Sequence, residues 1–552
     1  MTRSGGRVLV DQLALHGADL AFGVPGESYL AVLDALVDSP VRYVTTRHEV
    51  GAAYMAEAYG KLTGRPGICM VTRGPGATHA SGGLHVARQD STPLLLLVGQ
   101  VPRSSLGREA FQELDYEAFL GPLTKWTAQV DDPGRIPELV ARAFHVATSG
   151  RPGPVALALP EDVLAEETDA RDGRPVEPAQ AAPHPADVAR VRELLAGAER
   201  PFVVVGGSPW SERAHDAAIA WAEASDLPVA AGWRCQSHVD NTSRVYAGHL
   251  GIGADRRLAA RVQEADVLVV LGARLGDVET GGYAYLDSPH PRQRLVHVLP
   301  DADGLGRVFQ PELGVVASPA ATARALRALA PLDSSRWRAR TEQARAEYLE
   351  SLEHPRRDVA GVDLGAVMAH LRERLPADAF LANGAGNFSV WAHRFYAFRR
   401  YGTQLAPQSG SMGYGVPAAV TAKLLHPDRI AVCLAGDGDL MMTVQELATA
   451  VQQRAAIVVL VVDNGMLGTI RMHQERQFPG RVSGTDLVNP DFVALARACG
   501  CHGERVESAD GFPEAFERAL AAGVPALLHL PVDPEAITPR QTIAEIRAAA
   551  RS

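Results

Sequence analysis

The sequence predicts an α/β protein made of three doubly wound parallel-sheet domains. Short apolar runs rich in Val, Ile and Leu alternate with Ala-rich stretches of helical period, which is how buried parallel strands covered by helices on both faces read. The 552 residues exceed what one hydrophobic core sustains, and two stretches without periodicity cut the alternation into three.

In the first domain, placed at 1–167, strands are expected at 41–46, 68–72, 93–98 and 154–159, with a helix from Val50 to Leu62. Thr168 to Asp187, with scattered prolines, alanines and charges, reads as an interdomain linker. The second domain, at 188–330, has expected strands at 202–206, 267–272 and 294–299. A charged helical stretch, Ser335 to Leu352, continues into His354-Pro355-Arg356-Arg357 as a solvated connector. The third domain, at 358–552, has expected strands at 379–382, 430–435, 457–462 and 525–530, and the polar tail after Pro531 lies on the surface or against a partner.

Composition narrows the function. Apolar residues at 46% and charged residues at 21% allow large packed cores, and a net charge of -10 without any charge block argues against a nucleic-acid surface. Five cysteines, an odd count, suit a reducing cytoplasm better than a disulfide framework. Cys499 and Cys501 have no second pair or histidine cluster beside them and read as inert thiols. The apolar stretch at the N-terminus breaks at Asp11, unlike a signal peptide, and no run is long enough to span a membrane.

The strongest local signal is Leu434-Ala435-Gly436-Asp437-Gly438-Asp439, at the end of an apolar strand and ahead of the helix-forming Val444-Gln445-Glu446-Leu447. Glycines let backbone donors approach a diphosphate, and a helix N-terminus meets its charge. A second strand, Ile457 to Val462, ends in Asp463-Asn464-Gly465-Met466, so its tip emerges beside the first. The Asp437 carboxylate, the Asn464 carboxamide and the Met466 carbonyl are the hard oxygen donors that Mg2+ takes together with a phosphate. Leu467 and Gly468 continue that loop.

Together these strings resemble the signature of thiamine-diphosphate enzymes, and the resemblance to the acetolactate-synthase family runs over nearly the whole chain. Asp463 stands where the first residue of the family's closing Asn pair is expected. The resemblance makes the three domains pyrimidine-binding, middle and diphosphate-binding. It gives Glu49, in Arg47-His48-Glu49, the task of addressing the coenzyme's ring nitrogen. In Gly410-Ser411-Met412-Gly413, the Gly410 carbonyl accepts from the exocyclic amine and Met412 wedges between the rings. Gly386 and Asn387 match the other diphosphate-side loop. Gly74-Pro75-Gly76-Ala77-Thr78-His79 matches an active-site loop, with His79 in place of asparagine. Gln112, in Phe111-Gln112-Glu113, matches a residue near the reacting carbon, and Lys125 matches a family lysine.

Two departures bear on the product. Gly26 is followed by Glu27, where acetolactate synthases tend to carry a small residue; a carboxyl there suits proton delivery and aldehyde release. His473 stands where those enzymes place tryptophan, and Arg471 and His473 are candidate carboxylate binders. In the central domain, Gly232-Trp233-Arg234-Cys235 replaces the glycine pattern of flavin binders, so FAD is admitted there by the family but not supported by the residues.

The resemblance therefore implies thiamine-diphosphate-dependent decarboxylation of a 2-oxo acid with carboligation or aldehyde release. It further implies Mg2+, and a homodimer or homotetramer whose active sites lie at subunit interfaces. The rivals are a carbon–carbon lyase for hydroxyacyl or diketone substrates, a benzoylformate-decarboxylase-like enzyme, and a coenzyme-binding scaffold without activity.

Overall fold

The computed structural model describes residues 2–354 and 359–551, so the Pro355-Arg356-Arg357 part of the expected connector lies outside the described residues. Each of the three predicted sheets is present, six-stranded and parallel throughout.

The first compact unit holds 1–179 together with 420–425 and 443–453. Its sheet runs in the order Arg42–Thr45, Leu20–Gly23, Gly67–Val71, Leu94–Gln100, Pro154–Pro160, Trp126–Gln129. Gly67–Val71 and Leu94–Gln100 are buried along their whole length, which is why both read as continuous apolar runs. The helix Glu49–Thr63 starts where the His48 ring nitrogen Nδ1 accepts from the Val50 N–H, and it ends at Gly64 in the left-handed region.

The second unit holds the other two sheets. The central one runs Tyr246–His249, Val229–Ala231, Pro201–Val205, Val267–Leu271, Arg294–Leu299, Leu313–Val316. The third runs Gln404–Leu405, Phe380–Asn383, Ala431–Gly436, Val458–Asp463, Ala526–Pro531, His502–Arg505. The first and third sheets share one strand order, and the central sheet has another.

Two expected connectors are more structured than their composition suggests. In the stretch read as a linker, the Asp172 carboxylate accepts from Gln12 and Arg3, and the Gly173 N–H donates to Gln12, which ties this stretch to the first helix of its unit. The charged helix Arg338–Leu352 is not simply solvated. Ala344 and Tyr348 enter the central cores, and Arg261 makes a two-pronged ion pair with Glu347 at 2.7 and 2.8 Å. Its charges lie on the outer face of an otherwise buried element.

The tail past Pro531 folds back as the helix Ile543–Arg551, whose Ile543 and Ile546 pack with Met472 on the helix Gly468–Gln477. At this seam the Glu475 side chain is fully buried between Arg547 (2.7 Å) and Arg471 (3.0 Å), with a third donor in the Gly480 N–H at 2.8 Å. The Arg547 hydrogen bonds come first among the causes that draw its carboxyl down from the ordinary 4.5 to about 2. A carboxyl depressed by folding stabilises the docked helix above its ordinary value and stops doing so as pH falls through the folded one. Docking of Ile543–Arg551 should therefore hold at neutral pH and weaken progressively between about pH 4.5 and 2. Glu475→Gln should loosen it already at pH 7, seen as faster hydrogen exchange in that helix; an unchanged exchange rate would contradict the pairing.

Candidate active site

In an open parallel sheet, ligands bind outside the carboxyl ends of the strands, where the strand order reverses. The third sheet reverses between Phe380–Asn383 and Ala431–Gly436, and these tips lead into the loop Gly384–Asn387 and the short helix Asp437–Met441. The first sheet reverses between Leu20–Gly23 and Gly67–Val71, whose tips lead into Val24–Glu27 and Thr72–Gly76. The sequence motifs thus fall at the two places where this fold makes a crevice.

At the third sheet, the Asp437 side chain is buried and accepts from the N–H groups of Gly438 (2.8 Å) and Gly465 (3.0 Å) and from Asn489 Nδ2 (2.8 Å). Burial, with the Asp463 carboxylate close by, raises its carboxyl to about 6. Asp463 in turn accepts from Gly465 N–H, Asn489 Nδ2 and His529 Nε2, the last at 2.8 Å. Against the desolvation that burial imposes, His529 and these donors keep the Asp463 carboxyl low. An aspartate is thereby accommodated where the family has asparagine. Asn464 Oδ1 accepts from the Met466 N–H at 3.2 Å, folding the loop into a tight turn, and Leu467 N–H donates to Thr485.

Several predicted coenzyme residues converge here. A Cβ on Gly438 would fall 2.9 Å from Leu467 Cδ2 and 3.7 Å from Met412 Cε, so only hydrogen leaves this cradle open. Gly436 lies against Phe388, and Gly468 lies against the Asn464 carboxamide at the start of its helix. Asn387 accepts from Thr469 Oγ1 at 2.9 Å and donates to the Ile537 carbonyl, which joins the first tip loop to the tail. Gly386 and Gly410 have φ of 154° and 71°, and a Cβ on Gly410 would meet nothing within 4 Å.

Asp439 has a different part from its neighbours. Its Oδ1 accepts from the Ala385 N–H (3.0 Å) and the Gly413 N–H (2.9 Å), tying the Gly384 loop and the Met412 loop to one buried carboxyl that desolvation raises to about 7. Gly384 must be glycine, because its Cβ would sit 2.0 Å from that oxygen. Asp439 therefore arranges the loops.

Sequence reasoning had no signal for Arg234. It is buried, adopts φ 54°, and donates to the carbonyls of Pro407 (2.5 Å) and Gly384 (3.0 Å), with its guanidinium over the Trp233 ring. A non-glycine residue in the left-handed region costs on the order of 1–2 kcal/mol, so its neighbours must hold it there. Asn489 and His529 were missed too; an asparagine in a loop and a histidine in an apolar strand have no motif.

At the first sheet, Glu49 opens the helix that follows Arg42–Thr45, and its side chain is 12% exposed. Its Oε2 lies 3.0 Å from His79 Nδ1. Glu446 supports this turn: its carboxylate accepts from the Arg47 N–H, and its oxygen would lie 2.4 Å from a Cβ on Gly51. His48, Glu49 and His79 form a compact ligand-type group, but His48 Nδ1 already accepts from Val50, so that nitrogen is committed to the helix cap. Gly26 packs on Thr72, and Glu27 pairs with Arg73 at 3.3 Å. Gln112, at φ 66°, packs against Gly74. Lys125 instead donates to the carbonyls of Val146 and Ser149, closing the end of the helix Ile136–Thr148.

The central sheet has the strand order of dinucleotide-binding folds. Around its switch point, between Pro201–Val205 and Val267–Leu271, side chains bond the strand-end backbone. Trp210 Nε1 donates to the Gly206 carbonyl, His238 Nε2 to the Gly207 carbonyl, and the buried Glu279 carboxyl accepts from the Trp233 N–H. Burial raises that carboxyl. A dinucleotide diphosphate does not fit this set.

Two switch-point crevices, one with an acid and a carboxamide beside glycine-lined donors and one with a half-buried glutamate, define an α/β enzyme for a diphosphate coenzyme. The comparisons agree. The N-terminal TPP binding domain of thiamine pyrophosphate enzymes matches residues 3–119, the central domain 188–326 and the C-terminal TPP binding domain 384–530. The acetolactate synthase isozyme 2 large subunit of Escherichia coli is 34% identical over 96% of both chains. The acetolactate synthase large subunit of Parasynechococcus marenigrum is 33% identical over 96% of this chain and 88% of its own. That of Corynebacterium glutamicum is 34% identical over 94% and 84%. The chain belongs to the thiamine pyrophosphate enzyme family, and within it the chain is acetolactate-synthase-like.

Replacing Arg234 by methionine, of similar length but without donors, should weaken thiamine diphosphate binding by roughly tenfold or more, since hydrogen bonds from a charged donor contribute about 1.5–3 kcal/mol. Coenzyme titration followed by circular dichroism measures this. An unchanged dissociation constant would show that the Gly384 and Pro407 loops hold their shape without it.

Proposed function

We propose that the chain decarboxylates a 2-oxo acid with thiamine diphosphate, held through Mg2+ by Asp437, Asn464 and the Met466 carbonyl, and passes the remaining fragment to an acceptor carbonyl. The observation that carries this is the buried Asp437 carboxyl at the switch point of the third sheet, held by the Gly438 and Gly465 N–H groups at the glycine-lined strand tip. The carboxylate, the Asn464 carboxamide and the Met466 carbonyl are oxygen ligands of the kind Mg2+ prefers. Bound, the coenzyme supplies an electron sink for breaking a bond next to a carbonyl.

The chain's own residues do the rest. The tip loop around Gly438 offers backbone donors to phosphate oxygens, and Asp439 with Arg234 fixes the loops on either side. Glu49 holds a proton for the coenzyme's ring nitrogen, and His79 orients its carboxyl from 3.0 Å, donating to it when Glu49 is ionised. In this reading Gln112, whose backbone and Cβ pack against Gly74, hydrogen-bonds the substrate. Glu27 favours a second outcome: a carboxyl two-thirds exposed at the other switch point can move a proton and release an aldehyde instead of a ligated product. FAD is left out of the reading, because Trp210 and His238 already bond the carbonyls of Gly206 and Gly207, and Glu279 sets a carboxyl beside them.

A homodimer or homotetramer, with Glu49 of one chain serving Asp437 of another, completes the reading. Large apolar side chains exposed beside each set of site residues support it: Phe111 next to Gln112, and Val488 next to the Asp437 partner Asn489. Five free cysteines, among them the buried Cys69 and Cys433, suit a reducing cytoplasm.

Glu49→Gln should bind the coenzyme as the wild type does and lose roughly 10²–10⁴-fold in carbon dioxide release from a 2-oxo acid, the scale of a lost general acid–base group. Wild-type turnover in this variant would remove Glu49 from catalysis. Co-expressed Glu49→Gln and Asp437→Asn chains should recover an activity that neither has alone. Failure of mixed oligomers to do so would place both residues of each site on one chain.

A further inference from the structure

Arg73 lies in the turn 72–74 that joins Gly67–Val71 to the helix Pro75–Asp90, at the switch point of the first sheet. Its side chain is only 10% exposed, yet it is held unevenly. Nη1 donates to Glu161 at 2.7 Å, Nη2 reaches Glu27 at a long 3.3 Å, and the buried Nε–H has no hydrogen-bond partner among the described residues. Glu27 is itself 67% exposed, so the pair is one that water screens and that costs little to part. Leaving a buried guanidinium N–H unsatisfied is costly, and such groups in functional clefts point to an absent acceptor.

The surroundings place this cation at the reaction. Thr72, its chain neighbour, packs on Gly26 beside Glu27, and a Cβ on Gly76, three residues on, would lie 3.6 Å from Glu49 Oε1. A planar fork with one tight prong, one loose prong and one free N–H suits a carboxylate, which takes two parallel hydrogen bonds from such a group. Which carboxylate follows from the chemistry. One that departs as carbon dioxide loses its charge on the way to the transition state, so a fixed cation would hold the ground state more tightly and slow the step. A cation is useful only to an anion that remains.

We propose that Arg73 is a specificity-determining residue that binds a carboxylate the substrate keeps through the reaction, taken in exchange for Glu27. The assignment rests on the thiamine-diphosphate reading above. Two sources supply this chemistry: the distal carboxylate of a 2-oxo dicarboxylic donor, and the carboxylate of a 2-oxo acid acceptor. Displacement of Glu27 would also free its carboxyl for proton transfer.

The test compares wild type, Arg73→Gln and Arg73→Lys in the coenzyme- and Mg2+-loaded enzyme. Carbon dioxide release from 2-oxoglutarate is set against that from 2-oxopentanoate, and ligation onto pyruvate against ligation onto acetaldehyde. In one of the two pairs, Arg73→Gln should lower the kcat/KM ratio of carboxylate-bearing to neutral substrate by about tenfold or more, through KM, with Arg73→Lys in between. The pair that responds names the source. Succinate, a probe that cannot react, should inhibit wild type more strongly than butanoate does, and lose that advantage in Arg73→Gln. Ratios unchanged in both pairs and both variants, while carbon dioxide is still released, would reduce Arg73 to a structural ion pair and leave the thiamine reading standing. No coenzyme-dependent release from any donor by wild type would overturn both.

Discussion

A parallel sheet whose strand order reverses leaves an open crevice at the carboxyl edge of the reversal, and this chain makes its chemistry there. The first and third sheets share a strand order and so open their crevices at corresponding points. Into one project Glu27, Arg73 and the Glu49 turn; into the other project Asp437, Asp439 and the Gly384 loop. The central sheet reverses elsewhere, and there Trp210 and His238 bond strand-end carbonyls while Glu279 accepts from the Trp233 N–H. Function follows from which crevices the side chains leave open.

Buried charge is the cost of this design and also its means. Asp437 and Asp439 would each be expensive to desolvate alone, and each is satisfied chiefly by backbone N–H groups of loops that must be held still. His529 helps hold the Asp463 carboxyl low, and the charge of Asp463 adds to the burial that raises its neighbour Asp437. Arg234 brings a counter-charge towards Asp439 and at the same time holds two loop carbonyls. The central domain thus contributes a support to the loops of the third domain.

Much of the fold was legible because buried parallel strands are apolar on both faces. Gly67–Val71, Val267–Leu271 and Val458–Asp463 lie within a residue of expectation. Strands that escaped are short or at edges. His502–Arg505 and Trp126–Gln129 carry polar residues on a solvated face, and Gln404–Leu405 is too brief to show any period. The helix Arg338–Leu352 reads as solvated because its charges outnumber the few buried positions that dock it.

The site divides in the same way. Glycine turns and strand-end carboxylates are local patterns, so Asp437 and Asn464 stand out as candidates by themselves, whereas Glu49 does so only through the family resemblance. Arg73, Arg234, Asn489 and His529 act through contacts between distant segments, which leave no local trace in one sequence. Asp439 was read as a coenzyme contact for its place in the motif, and the loops that its carboxylate ties, at Ala385 and Gly413, could not be foreseen from that motif. The most direct measurement is a crystal structure of the protein with thiamine diphosphate and Mg2+. The account predicts a cation bonded at about 2.0–2.1 Å to the Asp437 carboxylate, the Asn464 carboxamide and the Met466 carbonyl, with the diphosphate on the same ion. A diphosphate bound away from those three oxygens would contradict it.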